Sequence, residues 1–338
     1  MLLAVVMVPL GVTPAPRTAA ARVTWQQGAH VRGVFDVVGP RSDGRLVVAA
    51  TGGLYLLDAA GRIARFARAY SGSAGEPYIA MSPGVRDSAS HCAFARDAIA
   101  ALDLAPGKPG VTLISPAGRV SRLANVRGVT NLFGITIDGT GRFEHRILVV
   151  GRQPGGHTQI SAIDCRGHVT TVGTVTVPLE GGIAVAPSSF GAFAGQLFAP
   201  NELDGSIYAV SPAGRIRTVA KSGLPFGPDI GVESLGFVPA SGPGGAYLSD
   251  RATPGGLHPG HDRVLRLSGT VLRSAGVRPG DLLAGTEGGA TVIRVRCAAA
   301  CSVGSIVATP TAAHGEGSLI VAPPHASSRL RTDGARPR

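Results

Sequence analysis

The text SIYAVSPAGRIRTVA, Ser206 to Ala220, returns three more times along the chain, as LYLLDAAGRIARFA, VTLISPAGRVSRLA and ISAIDCRGHVTTVG. Each copy alternates apolar and polar residues, turns at a Gly followed by Arg or His, and alternates again. That is the pattern of a β-hairpin with period-two side chains. The turn glycines are Gly61, Gly118, Gly167 and Gly214, at roughly 50-residue spacing, which marks a repeat architecture. RVLRLSGTVLRS, turning at Gly269, reads as a weaker fifth copy, and VIRVRCAAACSVGSIVA as a sixth with a Cys pair at its turn.

Two more strands precede each hairpin. The first is a run such as FDVVGP, YIAMSP, LFGITID, GIAVAP or SLGFVP; the second is RLVVAA, AIAALDL, RILVVG, QLFAPN, AYLSD or DLLAG. Leu179 to Ala220 shows all four strands in order. With 49 Gly, 25 Pro and 44% hydrophobic residues, the composition suits short strands joined by turns rather than disorder. The expected fold is all-β: a six-bladed β-propeller of four-stranded antiparallel blades, whose radial packing leaves only short protected edges. Five or seven blades fit the same pattern. Between Gly269 and Asp281 there is no room for both an outer strand of blade five and an inner strand of blade six. The late run EGSLIVAP, Glu316 to Pro323, is therefore expected to return and close the ring as the innermost strand of blade six.

The two ends read differently. Residues 1–21 read as a secretory signal peptide: Met1 to Val12 is apolar, Pro14 and Pro16 interrupt it, and Ala19-Ala20-Ala21 offers a small-residue cleavage site. A buried strand or an uncleaved anchor are the other readings of that run, which is short for a membrane span. Residues 22–325 form the propeller, and residues 326–338 are a basic Pro/Gly-rich tail expected to be disordered. The four cysteines fit an oxidising compartment. Cys297 and Cys301 are close enough to close a small loop, leaving Cys92 to pair with Cys165; free buried thiols are the alternative. The expectation is a secreted monomer without stable membrane insertion. The net charge of +11 comes almost wholly from scattered arginines. No run of them is interleaved with aromatics, so no nucleic-acid partner is expected.

Aligning the inner strands isolates one position. EPYIAMSP opens at Glu76, EGGIAVAP at Glu180, EGSLIVAP at Glu316 and the shorter ESLGFVP at Glu233, while NLFGITID puts Asn131 there and GVFDVVGP puts Gly33. Four of the chain's seven glutamates thus share one place in the repeat. Inner strands of a propeller run parallel around the channel, so these residues form a ring at one mouth. Crowded carboxylates raise one another's pKa, and oxygen-only donors suit a hard cation such as Ca²⁺. The competing expectation is a repeated latch, each Glu accepting backbone N–H bonds from the next blade.

On the repeat and this ring, Gly33 to Pro323 resembles the six-bladed propellers of the SMP-30/gluconolactonase, paraoxonase and strictosidine-synthase-like superfamily, with NHL-repeat propellers nearby. The resemblance implies a calcium ion at the channel mouth that polarises a lactone or phosphoester. It places Glu180, Asn131, Glu233 and Glu316 as metal ligands with Glu76 beside them. Those families mix one Glu with Asn and Asp, whereas Glu dominates here, which favours the latch over catalysis.

Weaker candidates are His258 and His261 in LHPGHD, a loop assigned to blade five, and His314 in HGEG as a base beside the ring. NELDG and TEGG, the latter with Glu287, read as turns. G-x-S-x-G, Walker A, G-x-G-x-x-G after a strand and H-E-x-x-H are all absent, so no nucleotide cofactor is expected. Two functions follow. One is a binding or scaffold propeller that recognises a small molecule, carbohydrate or peptide at the channel mouth. The other is a calcium-dependent hydrolase of the lactonase or esterase type.

Overall fold

The computed structural model describes residues 23–324. The signal-peptide reading of 1–21 and the tail reading of 326–338 lie outside the described residues. The chain begins with β1 (Gln26–His30). Blade one follows as β2 (Val34–Val38), β3 (Leu46–Ala50), β4 (Gly53–Leu57) and β5 (Ile63–Phe66). Blade two is β6 (Ile79–Met81), β7 (Ile99–Asp103), β8 (Gly110–Ile114) and β9 (Val120–Asn125); blade three is β10 (Asn131–Ile137), β11 (Ile147–Arg152), β12 (Thr158–Ile163) and β13 (Val169–Val175). Blade four is β14 (Ala184–Val185), β15 (Leu197–Asn201), β16 (Ser206–Val210) and β17 (Ile216–Lys221). Then come β18 (Val232–Phe237), β19 (Gly245–Asp250), β20 (Arg263–Ser268), the short helix α1 (Gly269–Ser274), β21 (Leu282–Thr286), β22 (Val292–Cys297), β23 (Cys301–Val307) and β24 (Gly315–Ala322). They form six four-stranded antiparallel sheets, and the inner strands β2, β6, β10, β14, β18 and β24 follow one another around the ring.

Local chemistry explains the repeated hairpin. Asp58, Ser115, Asp164 and Ser211 open its turns, and each side chain accepts the backbone N–H four residues on, that of Arg62, Arg119, His168 and Arg215. The turn glycine then takes a positive φ, +85° at Gly118 and +74° at Gly214, which an L side chain adopts only with strain. Burial grades outward as stacked blades require. β2 and β3 are buried at every residue, whereas β5 and β13 are mostly exposed.

The ring closes where expected but by another route. β24 is the innermost strand of the last blade, yet its partner is β19, with Gly245 opposite Ala322 and Asp250 opposite Gly315. That sheet runs β24, β19, β20, β1, so the N-terminal strand supplies the outermost position. Blade five is β18, β21, β22, β23. The assignment of AYLSD and RVLRLS to blade five, and of DLLAG and VIRVRC to blade six, is therefore reversed: blades five and six are interlaced. The cause is the link 238–244, which carries the chain into the next sheet, while Val238 and Gly280 hydrogen-bond back to the start of β21 and to Val238. GTVLRS is helix α1, capped by the Ser268 hydroxyl, not the second half of a hairpin. The Trp25 indole N–H donates to the Ala290 carbonyl at 2.7 Å, which ties the entry to β1 onto blade five.

Both expected disulfides are present, Cys92–Cys165 and Cys297–Cys301. The first joins a loop of blade two to the outer turn of blade three. No helix among the described residues is long and apolar enough to cross a membrane.

Candidate functional site

Antiparallel pairing sets the first residue of an inner strand beside the turn that ends the second strand. One channel mouth therefore carries two tiers of side chains. The lower tier comes from inner-strand starts and the upper from the turns after second strands. Glu76, Glu180, Glu233 and Glu316 belong to the first; Arg152, Glu202, Arg251 and Glu287 belong to the second. Together they line two adjoining spaces. A small cavity of about 130 Å³ is walled by Glu76, Tyr78, Glu180, Glu202, Glu233 and Glu287. A cleft of about 550 Å³ opens beside it, bounded by Glu76, Arg251, Leu257, Glu287, His314 and Glu316. Six of the seven glutamates meet here, Glu144 being the exception.

The Tyr78 hydroxyl sits between Glu316 at 2.7 Å and Glu233 at 2.9 Å, with Glu76 at 3.4 Å. A phenol has one proton, so it donates to only one of them at a time. Burial, then the charges of Glu316, Glu287 and Glu180, push the Glu233 carboxyl well above the usual range. A protonated Glu233 donating to the phenol oxygen satisfies the geometry. Burial, then the carboxylates Glu233, Glu316 and Glu76, drive the tyrosine itself up. The Arg251 guanidinium bonds to Glu76 and lies 3.1 Å from Glu316 Oε1. The His314 ring lies 2.9 Å from Glu287 and 3.4 Å from Glu316. Although burial opposes it, those two carboxylates raise the imidazole to about 10, so it is held protonated.

On the other side of the small cavity neutralisation is poor. Burial and the facing Glu202 carboxyl raise Glu180 to about 7. Burial and the charge of Glu287 raise Glu202 to about 7. The nearest cation is Arg152, 3.8 Å from Glu180 and stacked over the Phe133 ring. The Asp229 backbone N–H donates to Glu202.

The structure brings Glu76, Glu233 and Glu316 together through Tyr78, and sets Glu180 against Glu202. Asn131 is not gathered in: it opens β10 opposite Arg152, and its side chain makes no hydrogen bond to the carboxylates among the described residues. Glu180, Asn131, Glu233 and Glu316 therefore do not close on one point. Among the described residues the carboxylate and imidazole donors that reach within one ion's span are those of Glu287, His314 and Glu316. His314 lies beside the ring, whereas His258 Nδ1–H donates to the Thr311 carbonyl and His261 Nδ1 lies 3.2 Å from Asp250 Oδ2. Both lie in the loop between β19 and β20, which belongs to the last blade rather than to blade five.

The latch takes a different form. The ring glutamates bond to side chains; only Glu202, from the upper tier, accepts a backbone N–H. Asp36, deep in β2, is the carboxyl that ties blades together, accepting from Ile79 and Ser318. The reading of NELDG and TEGG as turns located them correctly but missed Glu202 and Glu287. The signal available was their shared place just after a second strand, where Arg251 also stands.

Tyr78→Phe tests how far the network is structural. It takes one donor from Glu316, which keeps Arg251, and strands the buried Glu233 carboxyl, and we expect a loss of about 2 kcal/mol in urea unfolding, typical of a stranded buried polar group. An unchanged midpoint would mean that water replaces the hydroxyl.

No protein-family model matches the chain, and no curated protein matches it. Solved structures similar to it include a chain of the nidogen/laminin complex, 12% identical with a TM-score of 0.49 over 87% of this chain and 85% of that one. Virginiamycin B lyase from Staphylococcus aureus is 12% identical with a TM-score of 0.43, over 85% of this chain and 89% of that one. A gluconolactonase, XC5397 from Xanthomonas campestris, is 14% identical with a TM-score of 0.39, over 69% of this chain and 71% of that one.

Proposed function

We propose that this chain is a binding propeller whose acidic mouth receives a ligand carrying positive charge. One observation carries the reading. Glu180 and Glu202 face each other across a small cavity, and the cation nearest to that pair is Arg152, at 3.8 Å from Glu180, in a chain that has 32 Lys and Arg. A ligand cation entering there meets carboxylates in a low-dielectric setting, where attraction is stronger than in water. Isothermal titration with arginine amide, an amine without a carboxylate, is expected to show binding that weakens at high salt. Glu202→Gln is expected to weaken it about ten-fold, the effect of one charged contact. Heat of dilution only, for arginine amide and other small amines alike, would remove this reading.

The calcium-dependent hydrolase is the second reading: Glu180, Glu202 and Glu233 are oxygen donors that line one cavity, although they are not among the donors that reach within one ion's span. A bound Ca²⁺ would supply Lewis-acid polarisation of a lactone or phosphoester carbonyl or phosphoryl oxygen. It requires calcium-dependent lactonase or arylesterase turnover that Glu180→Gln abolishes, and protein devoid of calcium by elemental analysis would count against it. Export is part of either reading, supported by the pairing of all four cysteines; recovery of a fully active chain with four free thiols would argue otherwise.

A further inference from the structure

The two spaces at the mouth differ in what surrounds them, and the difference bears on the shape of the ligand. The inner cavity, about 130 Å³, has room for roughly four waters at liquid density. A guanidinium or ammonium head is a group of that scale. The outer cleft is over four times as large, about 550 Å³, and apolar residues stand along it: Pro228, Ile230 and Leu257. Leu257 is 86% exposed, and Phe226, on the same loop as Pro228, is 62% exposed. A large side chain left that open on the wall of a cleft, as Leu257 is, is what a partner covers.

The protein also shows how the mouth holds such a head. Arg251 lays its guanidinium between Glu76 and Glu316, in the space next to the uncompensated carboxylates. A second guanidinium or ammonium would find the same chemistry at Glu180 and Glu202. Charge further limits the partner. The whole chain carries +11, so net charge does not favour a long run of basic residues. Screening confines the mouth's own attraction to roughly 8 Å at physiological salt. A single basic side chain between apolar neighbours satisfies both conditions.

Resting on the reading of the mouth as a cation site, we propose that its ligand is a peptide segment with one arginine or lysine flanked by apolar residues. The basic head enters the small cavity, and the flanks cover Leu257 and Ile230. The test uses the full chain and fluorescence anisotropy with four probes. They are a labelled, blocked Ala-Leu-Arg-Leu-Ala peptide, the same peptide with citrulline, arginine amide as competitor, and a penta-arginine peptide.

The arginine pentapeptide is expected to bind best. Citrulline, of equal shape without charge, should lose about ten-fold or more, and arginine amide and penta-arginine should both bind more weakly than the pentapeptide. Leu257→Ser should shrink the pentapeptide's advantage over the amide, with circular dichroism checking that the variant is folded. Arginine amide binding as tightly as the pentapeptide would overturn the peptide inference and leave the cation site standing. Citrulline binding as well as arginine would overturn the role of charge, and no binding by any of the four would remove both readings.

Discussion

Replacing Asp36 with Asn is expected to cost about 3 kcal/mol of unfolding free energy, because it strands buried backbone donors that each carry a penalty of about 1–3 kcal/mol. Asp36 lies in the middle of β2 with no exposed surface. Its Oδ1 accepts from Val37 at 2.8 Å and Ser318 at 2.7 Å, and its Oδ2 from Ile79 at 2.7 Å. Three inner strands, those of blades one, two and six, therefore meet on one carboxyl beside the closing seam. An amide of the same shape turns an NH₂ towards at least one N–H. Gly317 is part of the arrangement: its φ is +67°, and a Cβ there would lie 2.5 Å from Asp36 Oδ1. Burial pushes the Asp36 carboxyl up to about 7 from 3.8, against the pull of the three N–H donors. A carboxyl raised on folding contributes stability that is complete below its unfolded pKa and is lost as pH rises through the folded one. The gap between the native chain and the Asp36→Asn variant is therefore expected to be wide at pH 5 and narrower at pH 8. Urea unfolding at the two pH values measures it; a gap that stays constant would mean that Asp36 does not titrate in this range.

The contrast between Asp36 and the glutamates shows what the sequence could and could not reveal. Turns were legible because their chemistry is local: an Asp or Ser, two residues, a Gly and a cation specify one backbone path. Blade number followed from counting such turns. Interlacing of blades five and six was not legible, because AYLSD and DLLAG have the same alternation and either can pair with SLGFVP. Only the link at 238–244 and the partner of β24 distinguish them, and both are matters of tertiary register. The glutamates on inner strands stood out because alignment of the repeat stacks them. Glu202, Glu287 and Arg251 did not, because the turns that carry them vary in length and their shared position is spatial. Asp36 was concealed in FDVVGP, which reads as one more apolar strand. Its role depends on Ser318, 282 residues away.

Ending the chain before Gly315 is expected to abolish cooperative folding, with a chain ending at Pro324 as the reference. β24 is the innermost strand of the last blade, so its removal opens the ring at the channel rather than at the rim. β18 and β2 lose their neighbour on either side of the seam. Leu319 and Val321, 0% and 8% exposed, contribute about 1.5–3 kcal/mol each by burial. Asp36 loses the Ser318 donor, and Tyr78 and Arg251 lose Glu316. These losses together are comparable to the roughly 5–15 kcal/mol by which a domain is stable. The N-terminal strand cannot compensate, because β1 pairs with β20 at the outer edge and never reaches the channel. The truncated chain should therefore lose its near-ultraviolet circular dichroism and its sharp melting transition. A synthetic peptide covering residues 311–324, supplied in excess, should restore both if closure by this strand is what the ring lacks. A truncated chain that melts cooperatively within a few degrees of the reference would show that the other strands hold the ring without it.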